Sequence, residues 1–167
     1  MQIQNILRLL KTTDNANNFV SLIDTLISSL YTQTGLKTED LMQKTFPARV
    51  TDALCKDLSF KNIPLNDREG VKKYLTELKE AIEKATSLSL TLAFDPSSAF
   101  IDMIYRWIIE NLSQNSLLLL RTDPKILGGV ILEFSGLYRD YTLKKQIDEI
   151  FNQKTEVSFA RGGLAKL

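Results

Sequence analysis

The segment from Arg121 to Phe151, RTDPKILGGVILEFSGLYRDYTLKKQIDEIF, constrains the fold more tightly than any other part of the chain. Asp123-Pro124 fixes a turn, because proline locks its own φ and pushes the residue before it towards extended geometry. Gly128-Gly129 supplies a point where the backbone can take a positive φ or be approached closely. Val130, Ile131, Leu132 and Phe134 predict a strand with at least one buried face, since its apolar positions are nearly continuous. Ser135-Gly136 reads as a hairpin turn, with a return strand over residues 137–141. Thr142 predicts the N-cap of a closing helix whose apolar face is Leu143, Ile147, Ile150 and Phe151. Asp140, just ahead of it, reads as an acceptor for backbone donors at that helix start.

The remainder of the chain divides into helical and strand-like periods. Ile3, Ile6, Leu7 and Leu10 predict a short first helix. Asp14 or Asn15 would cap a second, running to about Gln33 with Phe19, Leu22, Ile23, Leu26, Ile27 and Leu30 on one face and Gly35 ending it. Thr38 predicts the cap of a brief helix, and Pro47 the first helical position of another with Val50, Ala53 and Leu54 inward. Residues 62–65 read as an extended connector. Asn66 would then cap a long helix with Glu69 in a near capping box and Val71, Leu75, Leu78, Ile82 and Ala85 as its apolar stripe. Over residues 88–94 leucine alternates with Ser, Thr and Ala, the period of a strand with one buried face. A helix with Ile101, Ile104, Ile108 and Leu112 inward follows the Asp95-Pro96 turn, and residues 117–120 make the next strand. The fold class is therefore α+β: N-terminal helices, then a small mixed sheet built from a β-α-β unit and a hairpin and packed with helices. The expected organisation is a short helical region over 1–62, an α/β domain over 63–152 and a flexible tail over 153–167.

Composition excludes several function classes. The 167 residues carry 21 basic and 20 acidic side chains, a net charge of +1, so no broad field recruits nucleic acid or an acidic membrane. The chain has no histidine, the commonest general base and metal ligand, and one cysteine, Cys55, which permits no internal disulfide. No run reaches the ~18 apolar residues expected of a membrane span, and the start lacks the pattern of a secretory signal.

The candidate sites are few. Gly128-Gly129 precedes a strand, whereas phosphate-binding glycine loops precede a helix, so the pair reads as structural. Asp148 and Glu149 are adjacent on a helix and point in different directions. Cys55 has no activating histidine and reads as a small buried hydrophobe. Trp107 and Tyr105 lie beside an inward stripe; Trp107 is read as core by preference and as an exposed interface anchor otherwise. No metal, cofactor, small-molecule ligand or nucleic acid is expected, and no catalytic site.

One resemblance gives these absences a meaning. The ordered set Asp123, Pro124, Ile126, Leu127, Gly128, Gly129, Asp140, Thr142 and Leu143 resembles the C-terminal signature of the delta subunit of F-type ATP synthases, called OSCP in mitochondria. The likeness extends back through LSLTLAF, an apolar helix and SLLLL, covering residues 85 to 152. Tyr141 departs from it, standing where the family usually has a small residue. The E subunit of V- and A-type ATPases has a similar Gly-Gly strand and ending, and is the rival resemblance; a stand-alone protein adaptor is the other alternative. The delta likeness implies a non-catalytic peripheral-stalk subunit that joins the catalytic head subunits to the b-type stalk subunit and resists torque. It implies a cytoplasmic location, peripheral to the inner membrane face through other subunits, and a stalk helix docked on the strand-rich half. The family's N-terminal bundle of about six helices has no visible match in these first residues, so no head-binding residue is carried over.

Overall fold

Caps and breakers set the helix boundaries. The computed structural model describes residues 3–33, 35–112 and 115–149. Helix α1 (Ile3–Leu10) ends at Lys11, which takes a left-handed φ of 61°. Thr12 immediately caps α2 (Thr13–Thr32), its hydroxyl accepting from the Asn15 N–H at 3.3 Å. The cap is thus two residues earlier than Asp14, and the C-cap is Gln33, ahead of the Gly35 expected to end the helix. Along its wet side, Ser21, Thr25, Ser28, Ser29 and Thr32 each donate a hydroxyl to the carbonyl four residues back, so these poor helix formers satisfy themselves within the helix.

Helix α3 (Thr38–Thr45) begins after Lys37 without a side-chain cap, and Thr38 is buried inside it. Pro47 is the N-cap of α4 (Ala48–Phe60), with an extended ψ of 148°, one position earlier than predicted. The end of α4 is a Schellman motif. Asn62 takes a φ of 55°, its N–H donates to Ser59 O at 3.0 Å, and the Ile63 N–H reaches back to Leu58 O at 3.0 Å. Asp67, not Asn66, caps α5 (Arg68–Glu83), its carboxylate accepting from the Gly70 N–H at 3.0 Å.

The stripes of these helices meet in one core. Leu7, Phe19, Ile23, Leu26, Leu30, Met42, Leu54, Leu58, Val71, Leu75 and Leu78 are buried together, with Phe19 and Phe46 in ring contact at 5.2 Å. Tyr74 joins this core although it is absent from the predicted α5 stripe, and its hydroxyl donates to the buried Asp57 carboxylate at 2.7 Å. Arg68 ties the ends of neighbouring segments by donating to Leu30 O and, at 2.8 Å, to Leu36 O.

The class is α+β, with the N-terminal helices followed by a four-stranded mixed sheet. Strand β1 (Thr86–Leu92), helix α6 (Ser98–Asn111) and strand β2 (Ser116–Thr122) form the β-α-β unit. Strands β3 (Val130–Phe134) and β4 (Leu137–Asp140) form the hairpin, followed by α7 (residues 143–149). The strand order is β2-β1-β3-β4, with β3 antiparallel to both of its neighbours. Among the described residues no helix is long and apolar enough to cross a membrane.

Two compact units share the chain. One holds the described residues of Met1–Ser87 and Ala99–Leu119; the other holds Leu88–Ser98 and the described residues from Leu120 onward. A boundary at residue 62 is corrected by this division: α5 packs on α1 and α2 and belongs with the helices before it. The tail expected over 153–167 lies outside the described residues.

Replacing Leu26, fully buried, by alanine should cost ~2–5 kcal/mol in urea unfolding, because the surrounding helices cannot close the cavity completely. The same change at Leu9, 40% exposed on α1, should stay within about 0.5 kcal/mol.

Candidate functional site

Five residues of the delta-like signature, Gly128, Gly129, Asp140, Thr142 and Leu143, are separated in sequence and adjacent in space. Gly129 has a φ of 90°, in the region that favours glycine, and a β-carbon there would stand 2.3 Å from the Tyr141 carbonyl oxygen and 2.9 Å from the Thr142 α-carbon. The glycine therefore lets two backbone segments touch. Around this contact the Tyr141 N–H donates to Val130 O at 2.9 Å, and the Leu143 N–H donates to Gly128 O at 2.9 Å. The segment leaving β4 is thus sewn to the segment entering β3.

Thr142 and Asp140 complete the clasp. Thr142 is buried, and its hydroxyl accepts from the Lys145 N–H at 3.4 Å, the N-cap arrangement predicted for α7. Asp140 Oδ1 accepts from the Thr142 N–H at 2.8 Å. That backbone donor, then the Thr142 hydroxyl and the nearby Lys145 charge, hold the Asp140 carboxyl below the usual carboxylate range. Asp123 does separate work at the preceding turn: its carboxylate accepts from the Lys125 N–H at 2.9 Å and its carbonyl from the Ile126 N–H at 3.1 Å. Pro124 follows it in that turn, and Ser135-Gly136 makes the hairpin turn with φ values of 49° and 79°.

The hairpin's apolar face is incompletely covered. The register pairs Leu90 with Leu132, Leu92 with Val130, and Phe134 with Leu137, so these side chains share one face. Burial falls steadily across it. Leu90 and Leu92 are buried on β1, Val130, Leu132 and Phe134 are half-buried on β3, and Leu137 on β4 is 62% exposed. The expected buried face of β3 is corrected accordingly: no residue of that strand is fully buried. Leu127, Tyr138 and Tyr141 around the hairpin are more than half exposed, and Leu143 and Ile147 of α7 are exposed too. The apolar face predicted for this helix is therefore uncovered over its described part, while Ile150 and Phe151 lie outside the described residues.

The two aromatics of α6 separate. Tyr105 is buried, so it presents no surface; burial pushes its hydroxyl up to about 12, opposed by the Arg8 charge. Trp107 is 52% exposed with Met103, four residues earlier, at 58%, which corrects the preference for a core position. Ile108 is buried and Leu112 exposed, so the inward stripe of α6 runs through Tyr105 and Ile108. Cys55 is half-buried, and burial pushes its thiol up, away from reactivity. Among the described residues no three His, Cys, Asp or Glu side chains gather in a way that could hold a metal ion. The sequence reading missed the Asp57–Tyr74 pair; a carboxylate and a tyrosine on the inward sides of consecutive helices were the available signal.

The arrangement offers surface and rigidity more than chemistry: a backbone clasp that fixes a hairpin, and an apolar face that the hairpin carries to an open edge. No family model matches the chain, and the search of curated proteins found no match.

Gly129→Ala should lower stability by ~3 kcal/mol or more, since it adds both a steric overlap with backbone and a strained φ. Gly136→Ala, with open space around its β-carbon, should cost only ~1–2 kcal/mol for its left-handed φ; urea titrations of both variants compare them. Asp140 is more acidic folded than unfolded, so its contribution is complete above about pH 4 and is lost as the pH falls through its folded pKa. Asp140→Asn should therefore show a smaller acid-induced fall in Tm than the parent, with the two curves converging at the acid end.

Proposed function

We propose that this chain is a non-catalytic peripheral-stalk subunit of a rotary ATP synthase, joining the catalytic head to the b-type stalk and resisting torque. The observation that carries the reading is the clasp. Five of the nine residues of the delta-like signature, Gly128, Gly129, Asp140, Thr142 and Leu143, form one connected backbone arrangement through the close approach at Gly129 and the bonds to Val130 and Gly128. A signature whose members depend on each other physically is less easily matched by chance than a scattered one. The packed helices ahead of the sheet add support, because the family's chain order is also helices followed by a strand-rich domain.

In this reading the work is mechanical. The stalk subunit lays an apolar helix on the hairpin unit, where Leu137 and the half-buried Phe134 opposite it await cover. The helical unit faces the head. No proton or phosphate is handled by this chain; the protein reaches the membrane only through its partners. The E-like alternative calls for a long charged helix able to pair with a partner, whereas α2, the longest helix among the described residues, buries its stripe in the core.

Tagged protein incubated with native membranes should recover the head subunits together with the b-type stalk subunit. Leu137→Glu should reduce stalk recovery at least tenfold while leaving the circular dichroism spectrum and Tm within error, because that side chain is already exposed. Failure to recover any subunit from a preparation holding intact synthase would sink this reading and leave the adaptor.

A further inference from the structure

The helical unit holds a small cavity where the starts of two helices meet, α3 after Lys37 and α5 after Asp67. Its volume is about 340 Å³, at the small end of ligand sites, and the half-buried Leu36 and Leu65 make its apolar wall. Thr38 also lines it. That residue is only 4% exposed, yet its hydroxyl makes no hydrogen bond and is not sealed from solvent, so it opens on the cavity. A hydroxyl drawn so far out of bulk water costs stability until it is given a partner. The N–H groups of Thr38, Glu39 and Asp40 share this first turn. No side chain caps α3, and none of the three has an acceptor among the described residues. The loop ahead of α5 adds the Asn66 side-chain amide, also without a partner among the described residues. The charges of the lining do not balance. Lys37 and Arg68 are basic and Glu39 is acidic, which leaves one positive charge in excess; Asp40 does not line the cavity. Arg68 is held by its bonds to Leu30 O and Leu36 O, so it contributes a fixed wall and its charge. Lys37 is exposed and has no ion-pair partner among the described residues.

We infer that this cavity binds a monoanionic aliphatic carboxylate, a short branched chain ending in a carboxyl group. The carboxylate accepts from the Thr38 hydroxyl and from the free N–H groups at the start of α3, where the helix dipole favours negative charge. Lys37 and Asn66 supply further donors from the rim, and the alkyl chain lies against Leu36 and Leu65. The single excess positive charge suits a carboxylate. A phosphate dianion would bring a second negative charge towards Glu39. Such a carboxylate has two sources, a free short-chain acid or the last residue of a polypeptide. The inference stands on this cavity alone and holds whether or not the stalk reading does.

Titration of the full chain with isocaproate, followed through the amide resonances of Thr38, Glu39 and Asp40, tests it. Isocaproate should shift them, isocaproamide should not, and inorganic phosphate should bind at least tenfold more weakly. Thr38→Val and Lys37→Gln should each weaken isocaproate binding at least fivefold, whereas Thr38→Ser, which keeps the hydroxyl, should bind as the parent does. The Thr38 hydroxyl has no partner in the fold, so Thr38→Val should match or exceed the parent's Tm without ligand. Lys37 is exposed, so its variant reads binding with the fold intact. N-acetyl-leucine mimics a chain end: its binding more tightly than isocaproate would assign the site to a polypeptide terminus, and the reverse order to a free acid. Four outcomes would overturn the inference: no shift with either acid, equal shifts with isocaproamide, phosphate binding as tightly as the acids, and binding indifferent to both Thr38→Val and Lys37→Gln.

Discussion

The missing β-carbon at Gly129 is the constraint on which the hairpin unit depends. Two backbone segments pass each other there at a distance that any side chain would forbid, 2.3 Å from the carbonyl oxygen to where the β-carbon would stand. Once they touch, the bonds from Tyr141 to Val130 and from Leu143 to Gly128 follow from position alone. They extend the β3–β4 pairing past its last ladder residues and fix where α7 begins. A hairpin held only by its turn would fray at its open end. Here the open end is closed by a backbone clasp, and the Asp140 carboxylate reinforces it by accepting the N–H that precedes the helix.

The helical unit is held by different means. Its core is a plain apolar one, to which α1 through α5 each contribute a stripe. Two polar links specify how the helices meet. The Tyr74 hydroxyl is buried against Asp57, which joins α5 to α4 and penalises any register that separates them, since an unpaired buried carboxylate costs far more than the bond itself yields. Arg68 reaches the last carbonyls of α2 and the loop after it, satisfying acceptors that a helix end leaves open. The two units therefore use opposite strategies, backbone proximity in one and side-chain interlock in the other.

What the residues disclosed in advance follows from how local their instructions are. The glycine pair, the Ser135-Gly136 turn and the Thr142 cap act through the backbone within a few residues, and all three stand where they were read. Helix starts were displaced by one or two residues wherever neighbours compete for one role: Thr12 with Asp14, Asp67 with Asn66. Only the geometry of the finished turn decides which oxygen reaches the N–H. Trp107 was misread because it stands three residues after Ile104 and seven after Phe100, at the margin of the stripe, where the rotation of α6 decides which side chains turn inward. The β3 run shows a deeper limit. A continuous apolar strand states that burial is favourable, but it does not say whether this chain or another supplies the cover.

That last distinction bears on the mechanical role proposed for the chain. A joint that must hold under torque cannot rely on surface ion pairs, which contribute about 0–1 kcal/mol each and weaken with salt. Apolar side chains contribute ~1.5–3 kcal/mol each when fully buried, without a directional requirement that a small rotation would break. The hairpin unit would meet this requirement under the proposed role. Its apolar face begins under cover at Leu90 and Leu92 and emerges at Leu137, so a docked helix would continue an existing core. Because β3 and β4 are clasped at Gly129, force applied to that helix would be carried by backbone hydrogen bonds loaded together. A side-chain contact at the edge of an unclasped hairpin would instead peel one residue at a time. The glycine closes the open end of the hairpin, opposite the turn beside which Leu137 stands, so a strand pair loaded through that helix would be held at both of its ends.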